Sequence, residues 1–315
     1  MGKLKALLFT EGMHGMISQA EGMARALKTD FHHKIVRLNF PWNLVPSKFT
    51  PVLEIILKDK NYLINGEIPN LIISCGRKSV IPSILFKKKN RKIFTIHIQD
   101  PKVNLKNFDM VIAPEHDNLT GDNVLSTKGA IHYITESEIL NTKTYLINKI
   151  QSKKIVSLIL GGPNKYYGFS NEELLKIFNQ IKFNFISHGY KAIIIPSMRT
   201  PKRVIDLAIK EFDVDSYVVD SVDKQAYLSA LALATNIVVT CDSTSMISEA
   251  ATSGKPIFVA HMKAKKNNYR FKKFFELFKQ MGITRDLGEQ IETWTYNKHN
   301  EAQRIAIDIK NKIKN

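Results

Sequence analysis

Short apolar runs alternate along the whole chain with segments whose apolar residues recur at helical spacing. The runs at residues 4–9, Leu71–Cys75 and Ile155–Leu160 predict buried strands, and the amphipathic segments between such runs predict crossover helices. Further strands are predicted at residues 34–39, 93–99, 109–113, 192–195, 217–219, 237–240 and Ile257–Ala260. Strand and helix in regular succession indicate an α/β protein with parallel sheets.

Capping signals mark where several of the helices begin. Thr135 with Glu138 forms a capping box, and the helix that it opens is predicted to run to about residue 151. Ser170 with Glu173 opens a second helix in the same way. A further helix is predicted to start at Thr200-Pro201, and a last one covers about residues 300–312.

We place a domain boundary near Lys153, where the strand pattern starts afresh. Residues 1–152 form the first predicted domain and residues 153–298 the second, both Rossmann-like, and residues 299–315 form a C-terminal helix that packs back on the first domain. Two similarly wound domains that present strand ends to each other would enclose an interdomain cleft, which is where small ligands usually bind.

The composition, 44% hydrophobic and 24% charged, is that of a soluble globular protein. No apolar run approaches the length that spans a bilayer, and residues 6–9 are too short for a signal-peptide core, so we expect a cytoplasmic protein. Cys75 and Cys241 each end an apolar run. They are expected to be buried free thiols in a reducing compartment.

A formal net charge of +17 includes two dense basic clusters. The clusters are Lys87, Lys88, Lys89, Arg91 and Lys92, and Lys263, Lys265, Lys266, Arg270, Lys272 and Lys273. Such patches attract anionic lipid, phosphorylated substrates or nucleic acid, but a composition rich in Lys, Asn and Ile would explain them equally well. No recognised reading motif accompanies the charge, which argues against nucleic acid as a partner.

A basic amphipathic helix is predicted at residues 270–281. Phe271, Phe274, Phe275 and Phe278 lie along one stripe of it. The stripe fits docking on a membrane surface, and it also fits ordinary core packing, which is the commoner use of such a pattern.

The segment from Asp242 to residue 260 is the most informative part of the chain. A buried strand ends in a polar cluster, a short helix follows at about residues 246–253, and Gly254 stops it before the next strand. A helix start beside the carboxyl end of a parallel strand favours anions and nucleotides. Asp242, Ser243, Ser245 and Met246 would line such a start, and a carboxylate at Glu249 could accept two hydrogen bonds from a ribose diol. A well-capped helix with Glu249 merely solvated is the alternative.

Two further loops of the second half are expected to join this site. Gly161 and Gly162 follow the strand Ile155–Leu160 and could admit a phosphate or a partner loop, although a plain tight turn fits them as well. Ser197, Arg199 and Thr200 follow the next strand and place one cation and two hydroxyls where an anion is favoured. The expected convergence of the three loops favours a nucleotide-binding site.

The first strand leads into a turn whose glycines would let the backbone approach a ligand. Gly12, His14 and Gly15 form this turn, and Gln19 could add an amide contact. The turn is not a dinucleotide fingerprint, because its glycine spacing differs and the second predicted strand ends without an acidic residue. The chain also lacks a P-loop lysine motif, so neither a nicotinamide cofactor nor P-loop phosphoryl transfer is expected.

Acidic residues and histidines follow two other strands of the first half. Asp100, Glu115, His116 and Asp117 are candidate general bases, because a carboxylate beside an imidazole can give a base near neutral pH. Asp100 could also be simple turn chemistry, since Pro101 follows it. His97 alternates with isoleucines and is expected to be a packed or surface residue. Asp213-Val-Asp215 has the look of a metal pair, but it precedes a strand, and we interpret it as solvated.

Six ordered motifs resemble the mitochondrial-fission "elongated mitochondria" family of plants and its bacterial relatives, and the likeness continues through Arg285 and Trp294-x-Tyr296. Met198 departs from the pattern, in which a second arginine is expected. The motifs are Gly12-x-x-Gly15-x-x-x-Gln19, His97-Ile-Gln-Asp100-Pro101, Ala113-Pro-Glu-His-Asp117, Gly161-Gly-Pro-Asn164, Ser197-x-Arg-Thr-Pro201 and Thr240-x-Asp-Ser-x-Ser-Met-Ile-Ser-Glu-Ala250.

The resemblance implies the two-domain GT-B glycosyltransferase architecture. The serine-rich turn and its glutamate are similar to the nucleotide-sugar motif of the transferase that adds N-acetylglucosamine to lipid-linked peptidoglycan precursors. By this likeness Glu249 binds ribose, residues 243–246 bind the diphosphate, and Gly161 and Gly162 form the pocket floor. Neither a metal ion nor another cofactor is then required, because helix-end N–H groups offset the charge of the departing nucleoside diphosphate.

Three functions are compatible with this likeness. The leading hypothesis is an inverting transferase that takes a nucleotide sugar as donor and acts on an acceptor that is lipid-linked at the inner face of a membrane. The second is a nucleotide-sugar epimerase of the same architecture. The third is a non-catalytic adaptor that uses its basic surface on an anionic membrane or on partner proteins, as the plant fission factor does.

Overall fold

Two six-stranded parallel sheets, each in its own compact unit, form the frame of this computed structural model. The structure describes residues 4–59, 68–212, 216–288, 290–291 and 293–314, and of His116 and residues 313 and 314 it describes the backbone alone. Unit 1 comprises Met1–Tyr133 and Asn300–Asn315, and unit 2 comprises Ile134–His299. The expected α/β class with parallel sheets is confirmed.

Unit 1 winds strands and helices alternately, in the sheet order β2-β1-β3-β4-β5-β6. Its elements before the C-terminal helix are β1 Lys5–Thr10, α1 His14–Ala26, β2 Asp30–Ile35, β3 Leu71–Cys75, α2 Val80–Lys89, β4 Phe94–Ile98, β5 Met110–Pro114 and β6 Val124–Thr127.

The strand pattern of unit 1 follows from burial on both faces of the sheet. Along β1, Ala6 and Leu8 face one hydrophobic cluster, and Leu7 and Phe9 face another. Successive side chains of a strand point to opposite faces, so a strand between two packed layers must be apolar throughout. The central strands therefore appear in the sequence as continuous apolar runs, and all the strand pairs are parallel.

Unit 2 repeats this winding, in the sheet order β12-β11-β10-β7-β8-β9. Its elements are α3 Glu136–Asn141, β7 Ile155–Leu160, α4 Asn171–Asn184, β8 Lys191–Pro196, α5 Lys202–Glu211, β9 Ser216–Val218, α6 Lys224–Leu233, β10 Asn236–Thr240, α7 Thr244–Ala251, β11 Ile257–Ala260, α8 Tyr269–Gln280 and β12 Thr284–Asp286.

The C-terminal helix, α9 at Glu301–Lys314, belongs to unit 1. It packs on α1. Its buried residues join the cluster that α1 and one face of the sheet share; they are Ala302, Ile305, Ala306 and Ile309. The helix thus covers part of that sheet face.

The division between the units falls at Tyr133 and Ile134 rather than near Lys153. The segment before β7 packs on α6 through Leu146 and Ile150, whose side chains join the cluster formed by Ile155, Ile193 and Ala230. Side-chain burial therefore assigns residues 134–152 to unit 2. The restart of the strand pattern at Ile155 marks a new sheet, but not the first residue of the unit that contains it.

Two helix predictions differ from the structure in informative ways. The capping box at Thr135 and Glu138 is present, but α3 ends at Asn141, and a 3-10 turn at Lys143–Tyr145 replaces the long helix. The hydroxyl of Thr142 donates to the carbonyl of Glu138, a bond that competes with continued helix. The aromatic stripe of α8 is packed in unit 2, because Phe274 and Phe278 are almost fully buried. Phe271 and Phe275 are half-buried, so the stripe matches the core packing that is the commoner use of such a pattern.

Edge strands were the least predictable part of each sheet. The strand predicted at residues 34–39 lies instead at Asp30–Ile35. The apolar signal that shifted the prediction comes from Val36 and Leu38, which are buried after the strand has ended. Leu38 there forms an antiparallel bridge with Leu57. The edge strands β6 and β12 were missed, since both are short and carry polar residues. Solvent contact at a sheet edge relaxes the apolar pattern on which the prediction depends.

Several smaller expectations have clear outcomes. Cys75 and Cys241 are buried free thiols, as expected. Among the described residues, none of the helices combines the length and apolar character needed to cross a membrane. Asp213 and Asp215 lie outside the described residues.

The buried face of α9 leads to a stability prediction. We expect Ile305→Ala to lower the free energy of unfolding by about 2–4 kcal/mol, because it removes a fully buried side chain from a packed cluster. Ile307→Ala is the matched control, since Ile307 is 63% exposed on the same helix. Urea denaturation of both variants measures the difference. Equal effects would contradict the packing of α9 on α1.

Candidate functional site

Three adjacent strands of unit 2 end where most of the predicted nucleotide-site residues lie. β10, β7 and β8 are neighbours in the sheet and pair in parallel. Their carboxyl ends lead into Asp242, into Gly161 with Gly162, and into the loop from Ser197 to Thr200. Because carboxyl ends of parallel strands share one edge of a sheet, these loops meet.

Asp242 is the centre of the hydrogen-bond network at this edge. Its buried carboxylate accepts from the Thr240 hydroxyl at 2.7 Å, from the Gly162 N–H at 3.1 Å and from Nη2 of Arg199 at 2.6 Å. Burial raises the pKa of Asp242 above its ordinary value, although these three donors oppose the shift. The carboxylate therefore joins the three strand ends to one another.

The two glycines are required by close packing around Asp242. A Cβ atom on Gly161 would lie 2.1 Å from both carboxylate oxygens of Asp242, and one on Gly162 would lie 1.9 Å from the carbonyl oxygen of Arg199. The space beside both glycines is thus filled by the protein itself. Of the two uses expected for their small size, a phosphate or a partner loop, the packing matches the partner loop.

The loop after β8 is bound to the same network. The Thr200 hydroxyl donates to the carbonyl oxygens of Leu160 and Gly161 and accepts from the Ser197 N–H at 2.8 Å. Arg199 donates through Nη1 to the Gly162 carbonyl at 3.0 Å. Its side chain is still 40% exposed, so part of the guanidinium faces solvent beside the strand ends.

Helix α7 begins directly after this network. Ser243 is its N-cap and accepts from the Met246 N–H at 3.4 Å, so the helix starts at Thr244, two residues before the predicted start. Ser243 and Ser245 are half-buried, and Met246 is buried. The first turn presents backbone N–H groups and hydroxyls close to Asp242 along the chain, which is a favourable place for negative charge.

Glu249 lies one turn further along α7 and contacts α6. Its Oε2 accepts from the Tyr227 hydroxyl at 2.9 Å. Burial raises the pKa of Glu249 to about 7, although Tyr227 and nearby Lys224 oppose the shift. The carboxylate is half-buried rather than solvated, so it can change its protonation state near neutral pH.

Sequence reasoning did not assign a role to two features beside Asp242. The Asn164 amide donates to the Asp242 carbonyl, and its oxygen accepts from the N–H groups of Tyr166 and Tyr167. The loop after β11 borders a cavity of about 620 Å³, and the Met262 N–H donates to Sγ of Cys241. The cavity lining includes Tyr167, His261, Met262, Lys266, Asn268 and Lys272. Asn164 ends the motif Gly161-Gly-Pro-Asn164, but its bond to Asp242 joins loops that are distant in the sequence and could not be predicted from the motif.

The predicted loop of unit 1 lies at the ends of β1, β3 and β4. Gly12 adopts a positive φ of 86°, and its N–H donates to the Thr10 hydroxyl. His14 and Gly15 are exposed in the first turn of α1. The Gln19 side-chain oxygen accepts from Nε2 of Gln99 and from the Cys75 thiol. Gln19 thus joins α1 to two strand ends.

The histidine and the aspartate of the loop after β4 have different roles. His97 is buried, its Nδ1 lies 2.8 Å from the Ser74 hydroxyl, and burial lowers its pKa to about 3. It is a packed, neutral histidine. Burial alone would raise the pKa of Asp100, but hydrogen bonds from Lys102 outweigh it and the pKa is lowered. An ionised Asp100 that is paired with Lys102 is a weaker base.

The remaining base candidates lie on a 3-10 turn after β5. Glu115 is exposed and Asp117 is half-buried. The side chain of His116 lies outside the described part of the structure. Among the residues that the structure does describe, no three His, Cys, Asp or Glu side chains form a group that could hold a metal ion.

Comparison with known families covers nearly all of this architecture. The sequence profile described as Mitochondrial fission ELM1 matches residues 14–313, which include all the site residues described above except Gly12. The chain belongs to the mitochondrial fission ELM1 family.

A curated relative of this ELM1-family chain is the mitochondrial fission protein ELM1 of Arabidopsis thaliana. The two are 27% identical over 278 residues, which is 78% of this chain and 64% of the plant protein. The chain therefore spans less than two thirds of the length of that relative.

Solved structures resemble the ELM1-family chain in fold. The UDP-GlcNAc 2-epimerase of Methanocaldococcus jannaschii has a TM-score of 0.53 at 14% identity, covering 98% of this chain and 99% of that one. MurG of Acinetobacter baumannii has a TM-score of 0.50 at 12% identity, covering 100% and 91%. These likenesses confirm the GT-B class of two Rossmann-like units.

The packing at Gly161 predicts a large cost for a small substitution. We expect Gly161→Ala to lower the free energy of unfolding by about 2–4 kcal/mol, because the new methyl group would displace the buried Asp242 carboxylate from its donors. Gly288→Ala is the control in the same unit, since the nearest atom to its Cβ would be 4.0 Å away. Urea denaturation followed by circular dichroism compares them, and a neutral Gly161→Ala would contradict the network.

The raised pKa of Glu249 predicts a pH-dependent stability difference. A carboxyl whose folded-state pKa of about 7 exceeds its unfolded value costs stability as the pH rises through that interval. Glu249→Gln removes this cost and can still accept from Tyr227. Relative to wild type, the variant should gain up to about 3 kcal/mol between pH 5 and pH 8.

Urea midpoints at both pH values test this, with Glu276→Gln as the control that removes the same charge from an exposed position on α8. A gain for Glu249→Gln that is equal at pH 5 and pH 8 would show that the carboxyl is not perturbed by burial.

Proposed function

We propose that unit 2 binds a nucleoside-diphosphate sugar at the carboxyl ends of β7, β8 and β10, and that the protein transfers the sugar without a metal ion or other cofactor. The observation that carries the proposal is the placement of α7. Its N-terminus follows the Asp242 network directly, and a half-buried carboxylate lies one turn along it. Together these groups match a diphosphate and a ribose diol.

The diphosphate contacts follow from the groups that remain available at this edge. The first-turn N–H groups of α7 and the hydroxyls of Ser243 and Ser245 favour negative charge. Arg199 adds a partly exposed guanidinium that its bonds to Asp242 and Gly162 hold in place. In this proposal Asp242, Gly161, Gly162 and Thr200 shape the site, and they do not contact the ligand directly.

Glu249 would bind the ribose. Two hydroxyl donors from a diol stabilise the ionised carboxylate, so binding should lower the pKa of Glu249 from about 7. Nucleotide binding near neutral pH should therefore release a fraction of a proton. If Glu249 did not contact the ligand, nucleotide binding would not be coupled to proton release from this carboxyl.

In the transfer step an acceptor hydroxyl oxygen bonds to the anomeric carbon as the bond from that carbon to the diphosphate oxygen breaks. The electron pair of the broken bond stays on the diphosphate, whose new charge the α7 N–H groups offset. The acceptor proton passes to a base in unit 1, for which Glu115, His116 and Asp117 are the candidates and Asp100 is the weaker one. Gly12, His14, Gly15 and Gln19 are proposed to border the acceptor.

A lipid-linked acceptor is part of this proposal, and it implies a cytoplasmic protein that works at the inner face of a membrane. The fold likeness to a UDP-GlcNAc 2-epimerase favours epimerisation as the second candidate. An epimerase converts the nucleotide sugar when no acceptor is present, whereas a transferase leaves it unchanged. Family membership with a fission protein favours a non-catalytic adaptor, which would turn over no donor.

Calorimetric titration with UDP-, GDP- and dTDP-sugars tests the donor site. We expect one of these nucleotide classes to bind the wild type. Glu249→Ala should weaken that binding at least about tenfold, because the variant loses hydrogen bonds between the ligand and a charged group. Glu172→Ala, at an exposed position on α4, is the matched control. Titrations in two buffers of different ionisation enthalpy measure the released proton. No binding by the wild type, or equal binding by Glu249→Ala, would falsify the donor site.

A further inference from the structure

One loop of unit 1 turns five large apolar side chains toward solvent. Single exposed apolar residues are common, but a group of them marks an interaction surface. We call this group the Phe40–Ile55 surface; its members and their exposed fractions are Phe40 79%, Leu44 75%, Phe49 69%, Leu53 54% and Ile55 71%.

The outward direction of these side chains is built into the loop. Trp42 and Val52 pack against the core cluster, and Ser47 and Thr50 are buried between them. The Asn39 amide donates to the Ile55 carbonyl at 3.0 Å, and the Ser47 hydroxyl donates to the Arg77 carbonyl at 2.8 Å. Ile56 and Leu57 are almost fully buried directly after the exposed Ile55. The loop is therefore anchored, and its five large apolar side chains remain exposed.

Exposed cations lie within the loop, beside it in the sequence and at one helix end that contacts it. An ion pair of 2.8 Å between Lys89 and Glu54 links the end of α2 to the loop. That helix end leads into an exposed basic group, and the loop and its flanks add three more cations. The exposed basic residues are Arg37, Lys48, Lys58, Lys88, Lys89, Arg91 and Lys92. Lys87 differs from the rest of the sequence cluster, because it is half-buried as well as paired with Asp109.

We propose that the Phe40–Ile55 surface docks on an anionic lipid bilayer. The apolar tips would enter the boundary between headgroups and acyl chains, and the cations would face the lipid phosphates. Charge complementarity selects this occupant. A second copy would bring the same cations face to face on a chain of net charge +17, and a nucleic acid would leave the apolar tips in water.

This inference rests on the peripheral localisation of the proposed function and gives it a surface, but it does not depend on the donor site. None of its residues belongs to the Asp242 network or to α7. A variant of the surface should therefore keep any nucleotide binding that the wild type shows. Failure of one proposal leaves the other standing.

Co-sedimentation with vesicles of phosphatidylglycerol and phosphatidylcholine tests the docking surface. The variant Phe40→Ser, Leu44→Ser, Phe49→Ser should bind at least about tenfold more weakly, because three apolar side chains no longer leave water. Its matched control is Phe183→Ser, Ile209→Ser, Val222→Ser, which removes three exposed apolar side chains from unit 2. Because all six side chains are exposed, urea midpoints should stay unchanged and show that both variants fold.

Charge variants separate this surface from the second basic cluster. Lys88→Gln, Arg91→Gln, Lys92→Gln should weaken binding by about fivefold per charge at low salt. Lys263→Gln, Lys266→Gln, Lys272→Gln makes the same change in net charge and should weaken binding less than about threefold. A larger loss from the second variant would overturn the proposal and move the contact to the neighbourhood of α8.

Insertion depth distinguishes docking from simple ion exchange. A fluorophore on Phe49→Cys should shift to the blue and be quenched by brominated lipid, whereas one on Lys210→Cys in unit 2 should not; both native cysteines are buried. The absence of a spectral shift at position 49 would overturn the proposal. Complete release of the protein at about 0.5 M salt, as purely electrostatic binding would show, would also overturn it. Binding to neutral vesicles as strong as to anionic ones would also contradict it.

Discussion

The burial of one carboxylate, that of Asp242, organises the candidate site. A buried charge is tolerated only when donors surround it, and here those donors come from three different strand ends. The need to satisfy Asp242 thereby sets the spacing between the loops after β7, β8 and β10. It also explains why residues 161 and 162 must be glycine, and why Arg199 is held where part of its guanidinium reaches solvent.

Glu249 is the complementary case. Its carboxylate accepts a hydrogen bond from Tyr227 and has a pKa raised to about 7 by burial, so both protonation states are populated near neutral pH. A group of this kind is more readily used by a ligand than one with every lone pair satisfied. The two acids of this region therefore differ: Asp242 joins the loops to one another, and Glu249 has a pKa near neutrality.

The sequence allowed prediction of the elements whose local signals and burial agree. Central strands such as Leu71–Cys75 and Ile155–Leu160 are apolar because both faces of the sheet are covered, and the boxes at Thr135 and Ser170 mark true helix starts. The convergence of the site loops was also predictable, because the carboxyl ends of parallel strands lie at one edge of a sheet. The edge strands β2, β6 and β12, the early end of α3 and the unit assignment of residues 134–152 were not predictable. They depend on contacts with residues far along the chain or with solvent. The contact between Glu249 and Tyr227 and the packing at Gly161 lie beyond local patterns for the same reason.

The return of α9 to unit 1 has a consequence for how the protein is made. Unit 2 is one continuous stretch of chain, whereas the core beneath α1 lacks Ile305 and Ile309 until the residues that follow unit 2 in the chain have been synthesised. Unit 2 can therefore complete its fold before unit 1, although most of unit 1 precedes it in the chain. Unit 1 must wait, with one flank of its sheet uncovered, for a helix that is synthesised after the whole of unit 2.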